Sequence, residues 1–175
     1  VFGATLGILA RTVQAHGRNP PAHPGVGLHM VLEGEYEPSP AQWVRDQVEL
    51  YESSGGLEGN TLRDTGMPVV IVTNRGVRSG KLRKTPLMRV EHDGVYLAVG
   101  SQGGAPKDPA WVANVVAHPE VELRDRTEVS VRRARLVQGA ERELWWERAV
   151  AAFPPYASYK ERTEREIPVF VLELQ

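Results

Sequence analysis

The β-forming runs of this chain lie too close together in sequence to be parallel neighbours. Thr85–His92 and Val95–Ser101 are separated only by Asp93-Gly94, a two-residue hairpin turn in which glycine supplies the positive φ. Val121–Leu123 and Val129–Val137 flank Asp125-Arg126-Thr127 in the same way. A parallel pair needs a crossover of a dozen residues or more, so both pairs read as antiparallel. Met67–Thr73 is a short β-branched run, read as a buried strand, and Pro168–Leu174 is placed to close the sheet. The spacing predicts a mainly β, α+β fold: a small barrel of antiparallel strands wrapped by helices, not an alternating βαβ fold.

Four helices are signalled around these strands. Ser39-Pro40-Ala41-Gln42 reads as a capping box with proline at the first helical position. Val44, Val48 and Tyr51 follow at helical spacing, and Gly55-Gly56 ends the run. Asp108 reads as an N-cap with Pro109 behind it, opening a helix through Trp111 and Val115 that stops at Pro119. Glu141–Phe153 places Trp145, Ala149, Ala152 and Phe153 on one face, and Pro154-Pro155 stops it. A short tyrosine-bearing helix follows from Tyr156 to Arg165.

A length of 175 residues favours one domain, read here as 30–175. Residues Asn19–Gly27 are rich in Pro and Gly and read as a linker, and Met30 reads as a native start. Residues 1–29 are therefore expected to be an extension outside the core. The alternative is a short helix over Ala4–His16 that packs on the domain, on a partner chain as in a homodimer, or on a membrane surface. No run approaches the roughly 20 apolar residues of a membrane span, so the expected location is cytoplasmic, with peripheral membrane association left open by that helix. The absence of cysteine excludes disulfides, thiolate metal sites and cysteine nucleophiles. His16, His23, His29, His92 and His118 show no metal-ligand spacing. There is no GxGxxG and no Walker sequence. A formal net charge of -1 argues against a dedicated nucleic-acid binder.

Positive charge is nevertheless concentrated. Between Thr65 and Val90 the chain carries Arg75, Arg78, Lys81, Arg83, Lys84 and Arg89 and no acidic residue. Gly76 and Gly80 interrupt the segment and Thr85-Pro86 ends it. Guanidinium forks match phosphate and carboxylate oxygens, and glycine lets backbone approach a ligand closely. The segment reads as a seat for a phosphorylated or polycarboxylate ligand, or else as a solvated basic hairpin.

Three segments in order carry a resemblance. They are Arg78-Ser79-Gly80-Lys81-Leu82-Arg83-Lys84-Thr85-Pro86-Leu87-Met88-Arg89-Val90, then Ser101-Gln102-Gly103-Gly104-Ala105-Pro106-Lys107-Asp108-Pro109-Ala110-Trp111, and Pro155-Tyr156-Ala157-Ser158-Tyr159-Lys160-Glu161-Arg162-Thr163 leading to Ile167-Pro168-Val169-Phe170. Together they resemble the deazaflavin-dependent nitroreductase family of actinobacteria, over Glu35–Leu174. The resemblance implies a split β-barrel of the FMN-binding-like type and the 5-deazaflavin coenzyme F420 as hydride donor to a quinone, nitroaromatic or similar acceptor. It assigns Arg78, Ser79, Lys81, Arg83, Lys84 and Thr85 to the phosphate and glutamate tail. Pro86, Leu87 and Met88 form a floor under the ring, with Ser101, Gln102, Ala110, Trp111, Asn114 and Tyr156 beside the cofactor. Ser101, Tyr156 and Tyr159 are expected to hydrogen-bond the acceptor, where oxygen gains negative charge. For Met88 and Trp111 core packing is the competing reading, and for the tyrosine pair it is a cap on the barrel mouth. The sequence departs from the family where Phe153 stands in place of a common tyrosine, Asp108 in place of a frequent histidine, and Val112-Ala113 in place of Tyr-His. An FMN-dependent enzyme on the same barrel and a non-catalytic deazaflavin carrier remain as alternatives.

Overall fold

Only Arg89 and Val90 separate the two outermost strands of the sheet. Seven antiparallel strands, β1 (Val69–Arg75), β2 (Leu82–Met88), β3 (Glu91–His92), β4 (Val95–Val99), β5 (Glu120–Asp125), β6 (Glu128–Leu136) and β7 (Val169–Leu174), pair in the order β2-β1-β5-β6-β7-β4-β3. A two-residue link reaches roughly 10 Å at most, so the edges β2 and β3 have to come together and the sheet must curl into a half-barrel. The computed structural model, which describes residues 31–175, shows how the corner is turned. The Arg89 N–H donates to the Pro68 carbonyl at 2.9 Å, beside β1, while the Val90 carbonyl accepts from Leu97 N–H of β4 at 2.9 Å. The single strand expected over Thr85–His92 is therefore two, because its backbone changes partner midway. The expectations for residues 1–29 lie outside the described residues.

Side chains alternate across this sheet and divide the core. On one face Val70, Val72, Val121, Leu123, Phe170 and Leu172 pack round Trp111, Val112 and Val115 of helix α2 (Ala110–Ala117). On the other face α1 (Gln42–Ser53) covers Val69 and Ile71 with Val44, Val48 and Tyr51. That same face of β4 and β7 offers Leu97, Val99, Val169 and Val171 to α3 (Gly139–Ala152) and α4 (Pro155–Glu161). Trp145, Ala149 and Phe153 are buried there as expected, but Ala152 is exposed.

Neither expected cap forms. α1 starts at Gln42 with Ala41 in the cap position, and Ser39 Oγ instead accepts from Ala41 N–H at 3.2 Å. Arg45 closes that turn by donating to the carbonyls of Ser39 and Pro40 at 2.7 and 2.8 Å. Asp108 is likewise not the cap of α2, where Pro109 holds that position. Its carboxylate pairs with Arg165, whose remaining donors bind the carbonyls of Gly100, Ser101 and Ala105. A guanidinium offers the carboxylate a full opposite charge where a backbone N–H offers a partial one, so the carboxylate turns to Arg165.

The far end of α1 locks onto the β5–β6 turn. Tyr51 is fully buried, and its hydroxyl accepts from Arg126 N–H at 2.7 Å and donates to the Val69 carbonyl at 3.2 Å. Gly56, at φ +87°, lies against the Arg126 backbone so closely that a Cβ would fall 2.0 Å from its carbonyl oxygen.

Candidate active site

The β1–β2 connection is short and tied at both its base and its flank. The Gly76 N–H donates to the Lys81 carbonyl and the Gly80 N–H to the Gly76 carbonyl, each at 2.8 Å. Gly80 adopts φ +69°, a conformation that suits glycine. From the side, the buried Asn114 of α2 accepts the Val77 N–H at 3.0 Å and donates to Asn74 Oδ1 at 2.8 Å. The loop is thus fixed relative to α2 by a side-chain amide and not only by its own turn.

A cleft of about 620 Å³ opens between this loop, β2, and the N-terminal ends of α1 and α2. It gathers Arg78, Ser79, Arg83, Lys84, Thr85, Ala110, Trp111 and Asn114, eight of the residues singled out in the sequence. It also contains Glu37, Ser39, Pro40 and Val44, which sequence reasoning did not assign to a site. Those four precede the cationic segment by about 40 residues, and no local motif marks them. Replacing Asn114 with Ala is expected to free Val77 and the loop tip. Affinity for an anionic ligand should fall several-fold with little dependence on salt, since no charge is removed, and binding titrations at two ionic strengths check this.

The charges are less free than the acid-free window suggests. An extended arm, Leu32 to Pro38, runs beside β2, with Leu82 N–H donating to the Glu35 carbonyl at 2.8 Å and Glu37 N–H to the Leu82 carbonyl at 3.0 Å. It places Glu35 on Lys81 at 2.8 Å and Glu37 on Arg83. The hydrogen bond from Lys81 to Glu35 raises the lysine's pKa above its ordinary value. Lys84 donates to both oxygens of Glu52 on α1 at 2.6 Å and sits 5.0 Å from the centre of the Tyr36 ring. Arg78 is exposed in the cleft and has no ion-pair partner among the described residues.

The other expected site residues gather elsewhere. Lys81 does not line the cleft, and its side chain turns to the arm. Pro86 is buried, Leu87 packs into the α2-side core, and Met88 packs against both cores of the opposite face. Met88 thereby meets the cluster that contains Tyr156 and Tyr159. Thr85 and Met88 are three strand residues apart, roughly 10 Å, and point to opposite faces of the sheet. Tyr156 is 4% exposed, with ring centres 5.0 Å from Phe153 and 6.1 Å from Tyr159 and Trp146. Burial first, and Tyr159 second, push its pKa up, so its hydroxyl stays protonated. The turn Gln102–Gly104 packs on α4: Gly104, at φ +80°, leaves no room for a Cβ, which would lie 2.7 Å from the Tyr159 carbonyl oxygen. Ser101 is buried and Gln102 exposed, and neither lines the cleft.

A curled antiparallel half-barrel with flanking helices, edged by a cationic cleft, defines the class as a split-barrel protein of the deazaflavin-dependent type. The profile of the F420H(2)-dependent quinone reductases matches residues 43–174, and the chain belongs to that family. It is 29% identical over 134 residues to an F420H(2)-dependent quinone reductase of Mycobacterium tuberculosis, across 75% of this chain and 89% of that protein. A solved F420-H2 dependent reductase (FDR-A) shares 51% identity over 61% of this chain and 94% of its own, with a TM-score of 0.58. A second solved structure, described as a domain-swapped dimer, shares 48% identity over 77% of this chain and 100% of its own, with a TM-score of 0.60. The chain is accordingly an oxidoreductase whose cofactor is coenzyme F420, and quinone reduction is the reaction of its family. The FMN and non-catalytic alternatives give way to this assignment. Among the described residues no helix is long and apolar enough to cross a membrane.

Proposed function

We propose that the cleft between the β1–β2 loop and α2 holds the anionic half of F420, and that the acceptor is reduced on the side of Tyr156 and Tyr159. One observation carries this reading: a single cleft collects Arg78, Ser79, Arg83, Lys84 and Thr85 with Ala110, Trp111 and Asn114, from segments 25 or more residues apart. The residues fit the group. Its phosphate and γ-linked glutamates need several cations and N–H donors on one wall, which the cleft supplies beside the apolar Ala110 and Trp111. Arg78, Arg83 and Lys84 supply the charge, and the Ser79 and Thr85 hydroxyls supply directed hydrogen bonds.

When bound, the deazaflavin supplies the hydride that reduces the acceptor. The protein's part is to orient, exclude water and offer a proton donor. Tyr156, with its raised pKa, holds its proton throughout the physiological range and can donate to an acceptor oxygen as charge develops there. Tyr159 and Ser101 complete that side, and Tyr159 adds a ring against which a flat acceptor can stack. Nitroaromatics share with quinones a flat ring and an oxygen that gains charge, so the proposal extends the role of the tyrosine pair to both. A homodimer is part of the proposal, by analogy with the relative described as a domain-swapped dimer.

Tyr156→Phe tests the division of labour. Turnover of menadione with F420H2 is expected to fall about tenfold to a hundredfold, the range of a single lost donor to a developing oxyanion. The dissociation constant for F420 should stay within about twofold, since the cations are untouched. Equal loss of turnover and affinity would move Tyr156 to the cofactor's own site.

A further inference from the structure

Glu37 is an acidic residue in the wall of a cleft read as an anion site. Glu37 and Arg83 form the one ion pair, among the described residues, with both members in the cleft lining. Lys84 lines the cleft but its partner Glu52 does not, and neither Lys81 nor Glu35 does. The Glu37 pair is also poorly finished. Glu37 Oε2 is buried next to Arg83 yet accepts no well-formed hydrogen bond. Arg83 Nη1 reaches the carbonyls of Glu37 and Pro38 only at 3.5 and 3.4 Å, near the limit of useful contact. Arg83 Nη2 lies 2.5 Å from Glu37 Oε2, in contact but out of hydrogen-bond alignment, whereas Lys84 donates to both Glu52 oxygens at 2.6 Å. Charge rather than aligned hydrogen bonding holds the Glu37 carboxylate on Arg83, and charge is what an incoming carboxylate or phosphate replaces.

We infer that Glu37 is an affinity-setting residue for the cofactor: a displaceable counter-ion that occupies Arg83 until an anionic group of the ligand takes its place. This rests on the reading of the cleft as the F420 site. A ligand bearing a single anion is met by Arg78, which needs no pair to be broken. A ligand with several must evict Glu37 to reach Arg83, so part of its Coulomb gain is spent on the exchange. The reason for such a competitor lies in the reaction type. F420H2 is consumed by the acceptor at each turnover, so its oxidised form must leave and a reduced one enter. A carboxylate that returns to Arg83 as the ligand departs favours that exchange, and it leaves no bare guanidinium behind.

The test is a fluorescence titration of the deazaflavin with the full chain and its variants, with dissociation followed after dilution. Glu37→Gln keeps the size and hydrogen bonding of the side chain and removes the competing charge. F420 should bind roughly three- to fivefold more tightly to it, mostly through slower dissociation, as expected for one half-exposed ion pair. The deazaflavin chromophore lacking phosphate and glutamates should bind both proteins alike. Glu37→Ala should follow Glu37→Gln, and Glu35→Gln, outside the cleft, should leave affinity unchanged. Unchanged or weaker binding of F420 by Glu37→Gln, or an equal gain with Glu35→Gln, would overturn the inference while the wild type still binds. Failure of the wild type itself to bind F420 would instead remove the cleft reading on which it stands.

Discussion

Gly56→Ala is expected to destabilise the protein by more than about 3 kcal/mol, a large share of the stability of a domain this size. A Cβ at this position would lie 2.0 Å from the Arg126 carbonyl oxygen and 2.2 Å from its carbon. Both are backbone atoms of the β5–β6 turn, which cannot swing aside as a long side chain can. The turn is also pinned from below by the Tyr51 hydroxyl, so relief requires pulling α1 off the sheet. The left-handed φ of +87° adds roughly 1 kcal/mol for any residue with a Cβ. Its neighbour provides the control. Gly55 has φ +65° and nothing within 4 Å of a built Cβ, so Gly55→Ala bears the conformational cost alone. Urea denaturation of the two variants should separate them clearly, and similar midpoints would show that the packing between α1 and the β5–β6 turn is looser than described.

Arg78→Glu should raise the dissociation constant for F420 by about tenfold to thirtyfold at low ionic strength, through one lost charge-assisted contact and one new repulsion. The penalty should shrink as salt is added. Stability should hardly change, because Arg78 is exposed and has no ion-pair partner among the described residues to be left behind. Charge reversal at Lys84 would not be so clean. It would set a new carboxylate against Glu52 at the position where Lys84 now donates twice, and loss of binding would be mixed with loss of packing. An Arg78→Glu protein that binds F420 as the wild type does would place the anionic end of the cofactor elsewhere.

The parts of the fold that were legible in sequence are those set by neighbours along the chain. Asp93-Gly94 and the Asp125–Thr127 turn announce their hairpins because turn geometry demands particular residues at particular places. The corner at Arg89–Val90 carries no glycine or proline and was invisible: what breaks the strand there is a change of pairing partner, which only the closed sheet imposes. Asp108 misled as a cap for the same reason, since Arg165 arrives from elsewhere in the fold, whereas the Ser39 hydroxyl is taken locally by the Ala41 N–H. In the candidate site, the cations were obvious and their counter-ions were not. A stretch without acids from Thr65 to Val90 looks unneutralised, yet an arm and a helix that precede it in sequence deliver Glu35, Glu37 and Glu52 to three of its charges.

The joint at Arg89–Val90 has no slack. One residue more or fewer has to be absorbed in the pairing of β2 with β1 or in that of β3 with β4, and a single step in the first exchanges the two sides of β2. Arg83 and Thr85 would then turn away from Trp111, and the wall they share would come apart. The placing of Arg83 and Thr85 beside Trp111 thus depends in part on a spacer at the opposite end of their strand, and a change of chain length there is felt in the wall of the cleft.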